Sequence, residues 1–222
     1  MQIQILMSTY LSIHHAKSAA HFSRLAARIE NNENQLNRSE IASHVGASIL
    51  SAVAFLEATI NELFAESERD SNAWLANVTD KSKKLIKTLS EIDAIDRANI
   101  LEKYDIFLVA AGFEPISRGC PESQNVKALI TLRNNITHYK ASWLDSGSKE
   151  LMRKGSSHKG NYWIELNQLI FGKNHNHKAH TWEQSEYAEW ACKSSFEFVE
   201  AVFKVLGSPS NINHVQEDLL LR

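Results

Sequence analysis

Two cysteines, three prolines and eight glycines are all that a chain of 222 residues holds of these types. Cys120 and Cys192 cannot build the disulfide framework of a secreted scaffold, which points to a reducing, intracellular setting. Pro115, Pro121 and Pro209 fall at helix boundaries read from the pattern, and sheet-rich folds want more turn residues than this chain has. No charge of one sign dominates either: 24 Lys and Arg stand against 26 Asp and Glu, a formal net charge of -2. That excludes a global basic field, so binding to nucleic acid has to come from a local patch or from one built by oligomerisation. Residues 1–7 are briefly apolar but lack a basic leader, and His14, His15 and Lys17 soon interrupt them. The expectation is neither a signal peptide nor a membrane span, and a cytoplasmic protein.

What is present is apolar periodicity at helical steps, in a chain that is 43% hydrophobic. Residues 8–30 run in helix formers with Tyr10, Ile13, Phe22, Leu25, Ala26 and Ile29 on a partial apolar face. The clearest helix follows, with Ile41, Val45, Ile49, Ala52, Val53, Leu56, Ile60, Leu63 and Phe64 three and four residues apart and Asn37 or Ser39 as cap. Further helices are expected over 72–89 and 92–111, the second stopped by Gly112 in a left-handed cap. Another runs over 122–143 with Val126, Leu129, Leu132 and Ile136 inward. Residues 145–160 read as a polar, mobile loop, and 162–170 suits a short strand or a short helix equally. Thr181-Trp182-Glu183-Gln184 has a capping-box pattern and opens a last strong helix through Tyr187, Trp190, Phe198 and Val205 to Gly207. The fold class is all-α: an up-and-down bundle with a four-helix core plus extra helices, in one domain spanning 1–222. The core is expected over about 40–206, with 8–30 as an added N-terminal helix and 208–222 as a tail.

Within the fifth helix stands Arg133-Asn134-Asn135-Ile136-Thr137-His138-Tyr139-Lys140. A guanidinium offers a charged fork shaped for phosphate oxygens, and an imidazole titrates near neutrality, so the pair suits chemistry on a phosphodiester. Arg-x4-His spacing alone is weak, since Arg153 and His158 share it within a loop and Arg38 and His44 come within one residue of it. The 133–138 copy differs in following an apolar helical run and in placing Asn134 directly after the arginine. These features resemble the HEPN superfamily (higher eukaryotes and prokaryotes nucleotide-binding), whose ribonuclease members carry Arg-x4-to-6-His near the end of a late bundle helix. Phe55-Leu56-Glu57-Ala58-Thr59-Ile60-Asn61 is similar to the long core helix of such proteins, where an acidic residue supports the active-site arginine.

The resemblance implies a metal-independent endoribonuclease acting as a toxin or antiviral defence effector. Arg133, His138 and Asn134 would be its catalytic residues, with Glu57, Asn61 and Tyr139 supporting. RNA brings its own nucleophile, the 2'-hydroxyl, so a base and a cation suffice without cofactor or metal. Five residues on an ideal helix separate Arg133 from His138 by about 140°, which makes one copy a poor pincer. A homodimer would supply facing pairs across one groove, and the resemblance implies the same composite site. The expected partners are RNA, a second copy of the chain and an antitoxin or other regulatory protein, with no membrane. One branch of the family modifies a tyrosine two positions after the histidine; here Tyr139 follows directly and Lys140 stands second, a departure from that pattern.

Two other readings stay open. The chain can be a non-catalytic HEPN-like module that binds RNA, a nucleotide or a protein partner. His175, His177 and His180 can hold a transition metal, against the plainer reading of a solvated loop. Lys81, Lys83, Lys84 and Lys87 read as a solvated helix face, His14 and His15 as exposed, and Trp143, Trp163, Trp182 and Trp190 as core or dimer anchors.

Overall fold

The structure, a computed structural model, describes residues 10–32, 37–69, 73–138, 166–172 and 182–221. The helices are α1 (Ser12–Glu30), α2 (Arg38–Glu66), α3 (Asp80–Ser90), α4 (Asp93–Asp96), α5 (Ile100–Ala111), α6 (Pro121–Thr137), α7 (166–171) and α8 (Ser185–Leu206), followed by a 3-10 helix, Asn213–Leu219. The architecture is an all-α bundle, and no strand occurs among the described residues. The 166–170 part of the segment left open between strand and helix is helical, closed by Gly172 at φ 85°.

Local chemistry sets most helix ends. Asn37 caps α2 by accepting from Glu40 N, and Thr79 caps α3 by accepting from Ser82 N. The helix expected over 72–89 therefore begins only at Asp80. That expected over 92–111 is broken by a capping box in which Asn99 and Glu102 satisfy each other's backbone N–H groups and open α5. Gly112 at φ 91° and Gly207 at φ 69° close α5 and α8 as the pattern required. The pattern at 181–184 does not supply the start of α8. Its N-cap, Gln184, makes no side-chain cap, and Ser185 N instead donates to Glu30 Oε2 at 3.0 Å, at the end of α1.

α2 is the central element, antiparallel to α1 and parallel to α8. Ser48 Oγ donates to Ala19 O at 2.9 Å, and Ser12 N and Oγ reach Glu62 at 2.8 and 2.5 Å. On the other side Cys192 Sγ lies 3.5 Å from Ser48 Oγ, and the Phe55 and Phe196 rings meet edge to face at 5.6 Å. The core thus includes α1, which the sequence pattern had set outside it. The reason is that α1 packs through small residues: Ala16, Ala19, Ala20 and Ala26 are fully buried with Ser12 and Ser23, while Ile13, Phe22, Leu25 and Ile29 are only half-buried. Small side chains let two helix backbones approach closely. Among the described residues α2 is the one helix long and apolar enough to cross a membrane, and half of its most apolar window is buried in the bundle.

Candidate active site

Pro121 at the first position of α6, after the extended Cys120, starts the site-bearing helix without wasting an N–H. Val126, Leu129 and Leu132 are fully buried and fix its inward face. Glu122 has its carboxyl held below the usual range, chiefly by its own backbone N–H, then by Cys120, with the charge of Lys204 contributing. That places the start of α6 near the end of α8, so the two helices run antiparallel. Arg133 and His138 are carried toward the end of the bundle where α8 begins.

α6 stops at Thr137, short of the expected 143. Thr137 Oγ1 donates to Arg133 O at 2.9 Å, and His138 N donates to Asn134 O at 2.9 Å. His138 is the C-cap at φ -109°, ψ 38° and is exposed, as is Asn134. Arg133 is half-buried, and its Nε is fully shielded with no hydrogen-bond partner. Among the described residues it forms no ion pair within 4.0 Å. A shielded N–H without an acceptor costs roughly 1–3 kcal/mol. Arg133 is therefore under-satisfied in the isolated chain.

The same facing helices hold three more shielded polar atoms without partners: Asn125 Oδ1 on α6, and Trp190 Nε1 and Ser194 Oγ on α8. Trp190 and Ser194 are one turn apart on α8. The sequence reading missed Ser194. Its signal was a hydroxyl set into the stripe Tyr187, Trp190, Ala191 and Phe198, where each neighbour is apolar.

The supporting residues read from the sequence do not converge on Arg133. Asn61 Oδ1 accepts from Lys103 Nζ at 3.3 Å, and Glu57, exposed and one turn before it, shares that face of α2 toward α5. Neither pairs with Arg133. Tyr139 and Lys140, the 145–160 loop, and His175, His177 and His180 lie outside the described residues. Among those described, no group of three His, Cys, Asp or Glu could hold a metal ion. Trp182 and Trp190 pack within the bundle, the former against Gly46, where a Cβ would come within 3.4 Å of the indole. His14 is exposed but His15 is half-buried, and of the α3 lysines only Lys83 is half-buried.

Cys120 and Cys192 are both free thiols. Burial pushes the Cys192 thiol up to about 12, against the opposing effect of its contact with Ser48. It is a packing residue and no nucleophile.

Comparison of the chain with protein-family models, curated proteins and solved structures finds no match.

Proposed function

We propose that this chain is a HEPN-like, metal-independent endoribonuclease that works in the cytoplasm as a toxin or phage-defence effector, with a composite site at a homodimer interface. The observation that carries the reading is Arg133, half-buried and without an ion pair among the described residues, on the helix that ends at the exposed His138. The shielded Nε is itself out of a ligand's reach, but a half-buried guanidinium with no carboxylate to neutralise it among the described residues suits an anionic oxygen that arrives with a substrate.

The reaction needs only what RNA and these side chains supply. One imidazole takes the proton of the 2'-hydroxyl, whose oxygen attacks the adjacent phosphorus. The P–O5' bond breaks, the leaving oxygen takes a proton from a second acid, and the products are a 2',3'-cyclic phosphate and a 5'-hydroxyl end. The Arg133 guanidinium stabilises charge on the pentacoordinate phosphorane, and Asn134 can hold a phosphate oxygen. With one His138 per chain, base and acid come from two copies, which is the chemical argument for a dimer.

A second reading is favoured by the wide angle between Arg133 and His138 within one copy: a non-catalytic module that binds RNA, a nucleotide or a protein partner through Arg133. Incubation of pure protein with RNA in excess chelator separates the two. The nuclease reading requires cleavage with cyclic-phosphate ends; intact RNA, or loss of cleavage on chelation, contradicts it.

A further inference from the structure

A cleft of about 410 Å3 opens where four segments meet, and none of the chemistry above uses it. One wall is a single stripe of α2, Asn61, Phe64 and Ala65, continued by Glu68 just past its end. The others come from Ser90 at the end of α3, from Ile95 and Asp96 in α4, and from Lys103 in α5. The size falls in the ordinary range for small-molecule sites, about 300–1,000 Å3. It lies by the C-terminal end of α2, and Arg133 by the beginning of α8 at the other end of the bundle.

Lys103 is the unusual member. Lysine is almost never fully buried without a partner, yet this one is only 4% exposed. An ammonium carries three donors. One reaches Asn61 Oδ1 at 3.3 Å, and the nearest carboxylate oxygen, on Asp96, stands at 4.0 Å, beyond hydrogen-bond range. An ammonium so placed has donor capacity left over. That favours an incoming anionic oxygen. The amide of Asn61, with its oxygen turned to Lys103, leaves its N–H groups free to donate to the same oxygen.

Opposite charge is present on the same rim. Asp96 and Glu68 are exposed, and Glu68 forms no ion pair among the described residues. Ser90 Oγ, whose hydrogen goes to Lys87 O at 2.7 Å, presents lone pairs only. One lysine against two carboxylates disfavours a phosphate dianion and favours a ligand that brings its own positive charge. Phe64 packs its ring edge to face on Phe107 at 5.3 Å and is 6% exposed, so it offers no platform for a nucleobase. With Ala65 and Ile95 it makes an apolar floor suited to a short aliphatic side chain.

We propose that this cleft binds a small zwitterion of the α-amino-acid class, with its carboxylate on Lys103 and Asn61 and its ammonium facing Asp96, Glu68 and Ser90. The site is separate from the RNA chemistry and does not depend on it.

The test is thermal denaturation of the full chain with each free proteinogenic amino acid, and with acetate and inorganic phosphate as single-charge probes. At least one amino acid should raise Tm by more than either probe, since a ligand bound only by the native state stabilises it. Its affinity should fall about tenfold or more in Lys103→Met and in Asp96→Asn, and stay unchanged in Arg133→Ala. If Lys103→Met does not fold, Asp96→Asn decides, because Asp96 is exposed and carries no core packing. The proposal is overturned if no amino acid shifts Tm, if phosphate shifts it most, or if Asp96→Asn binds as wild type does.

Discussion

The hydroxyl of Ser48 donates to the carbonyl of Ala19 at 2.9 Å, a side chain of the central helix bonded directly to the backbone of α1. Contact that close needs small residues on both sides, and Ala16, Ala19 and Ala20 are fully buried there. Ala19→Leu should therefore destabilise the protein by about 1–3 kcal/mol through overpacking. Urea denaturation checks this, and a wild-type midpoint would mean that α1 is not part of the core.

That seam is also where the sequence was least legible. Apolar periodicity finds α2 because Ile, Leu, Val and Phe repeat along it. It passes over α1, whose inward face is alanine and serine and whose larger apolar residues sit half-exposed. The ends closed by Gly112 and Gly207 were readable, since a left-handed cap is a local requirement. The start of α8 was not, because the N–H of Ser185 is met by Glu30 from far away in the chain. The break before α5 could have been read from Asn99 and Glu102, whose spacing is a capping box.

The candidate site was legible in part. Arg133 and His138 stand on one helix end as expected, but the sequence could not show that Arg133 has a shielded donor without an acceptor. Nor could it show that Asn61 turns to Lys103. The clue to Lys103 was its place between Ile100 and Phe107 on the buried stripe of α5, where a charge is out of pattern.

Gly112 and Gly207 should differ on substitution although both have positive φ. Alanine at 112 meets only Ser82 Oγ at 3.9 Å, so its cost is the left-handed backbone, about 1 kcal/mol. At 207 the new Cβ would lie 2.8 Å from Asn77 Nδ2, which donates to Leu206 O and Gly207 O at 3.0 and 3.1 Å. Gly207→Ala should lose about 2–3 kcal/mol, since relieving the clash breaks those bonds as well. Denaturant midpoints of the two variants check the order, and adding Asn77→Ala to Gly207→Ala should recover none of the backbone cost.

The thiols should react unequally. Cys120, half-buried, should label with a thiol reagent at pH 8, while Cys192 should label only on unfolding. The Cys192 thiol titrates at about 12 in the folded chain against an ordinary value of 9.0. Between those values the unfolded chain has lost a proton that the folded chain keeps. Its contribution to stability is thus constant below about pH 9 and falls as pH rises from 9 to 12, by up to about 1.4 kcal/mol per pH unit. Cys192→Ala should flatten that alkaline limb in a stability-versus-pH curve.

Single-turnover cleavage of RNA in excess chelator, run with wild type, Arg133→Ala, His138→Ala and an equimolar mixture of the two variants, tests the central claim most directly. Each variant alone should lose at least about 100-fold in rate, with its fold intact by circular dichroism. The mixture should stay inactive, because a mixed dimer holds only one His138 and so lacks either the base or the acid. Unimpaired cleavage by either variant would contradict the assignment of the site, and a mixture that regains activity would contradict the pairing of two histidines in one composite groove.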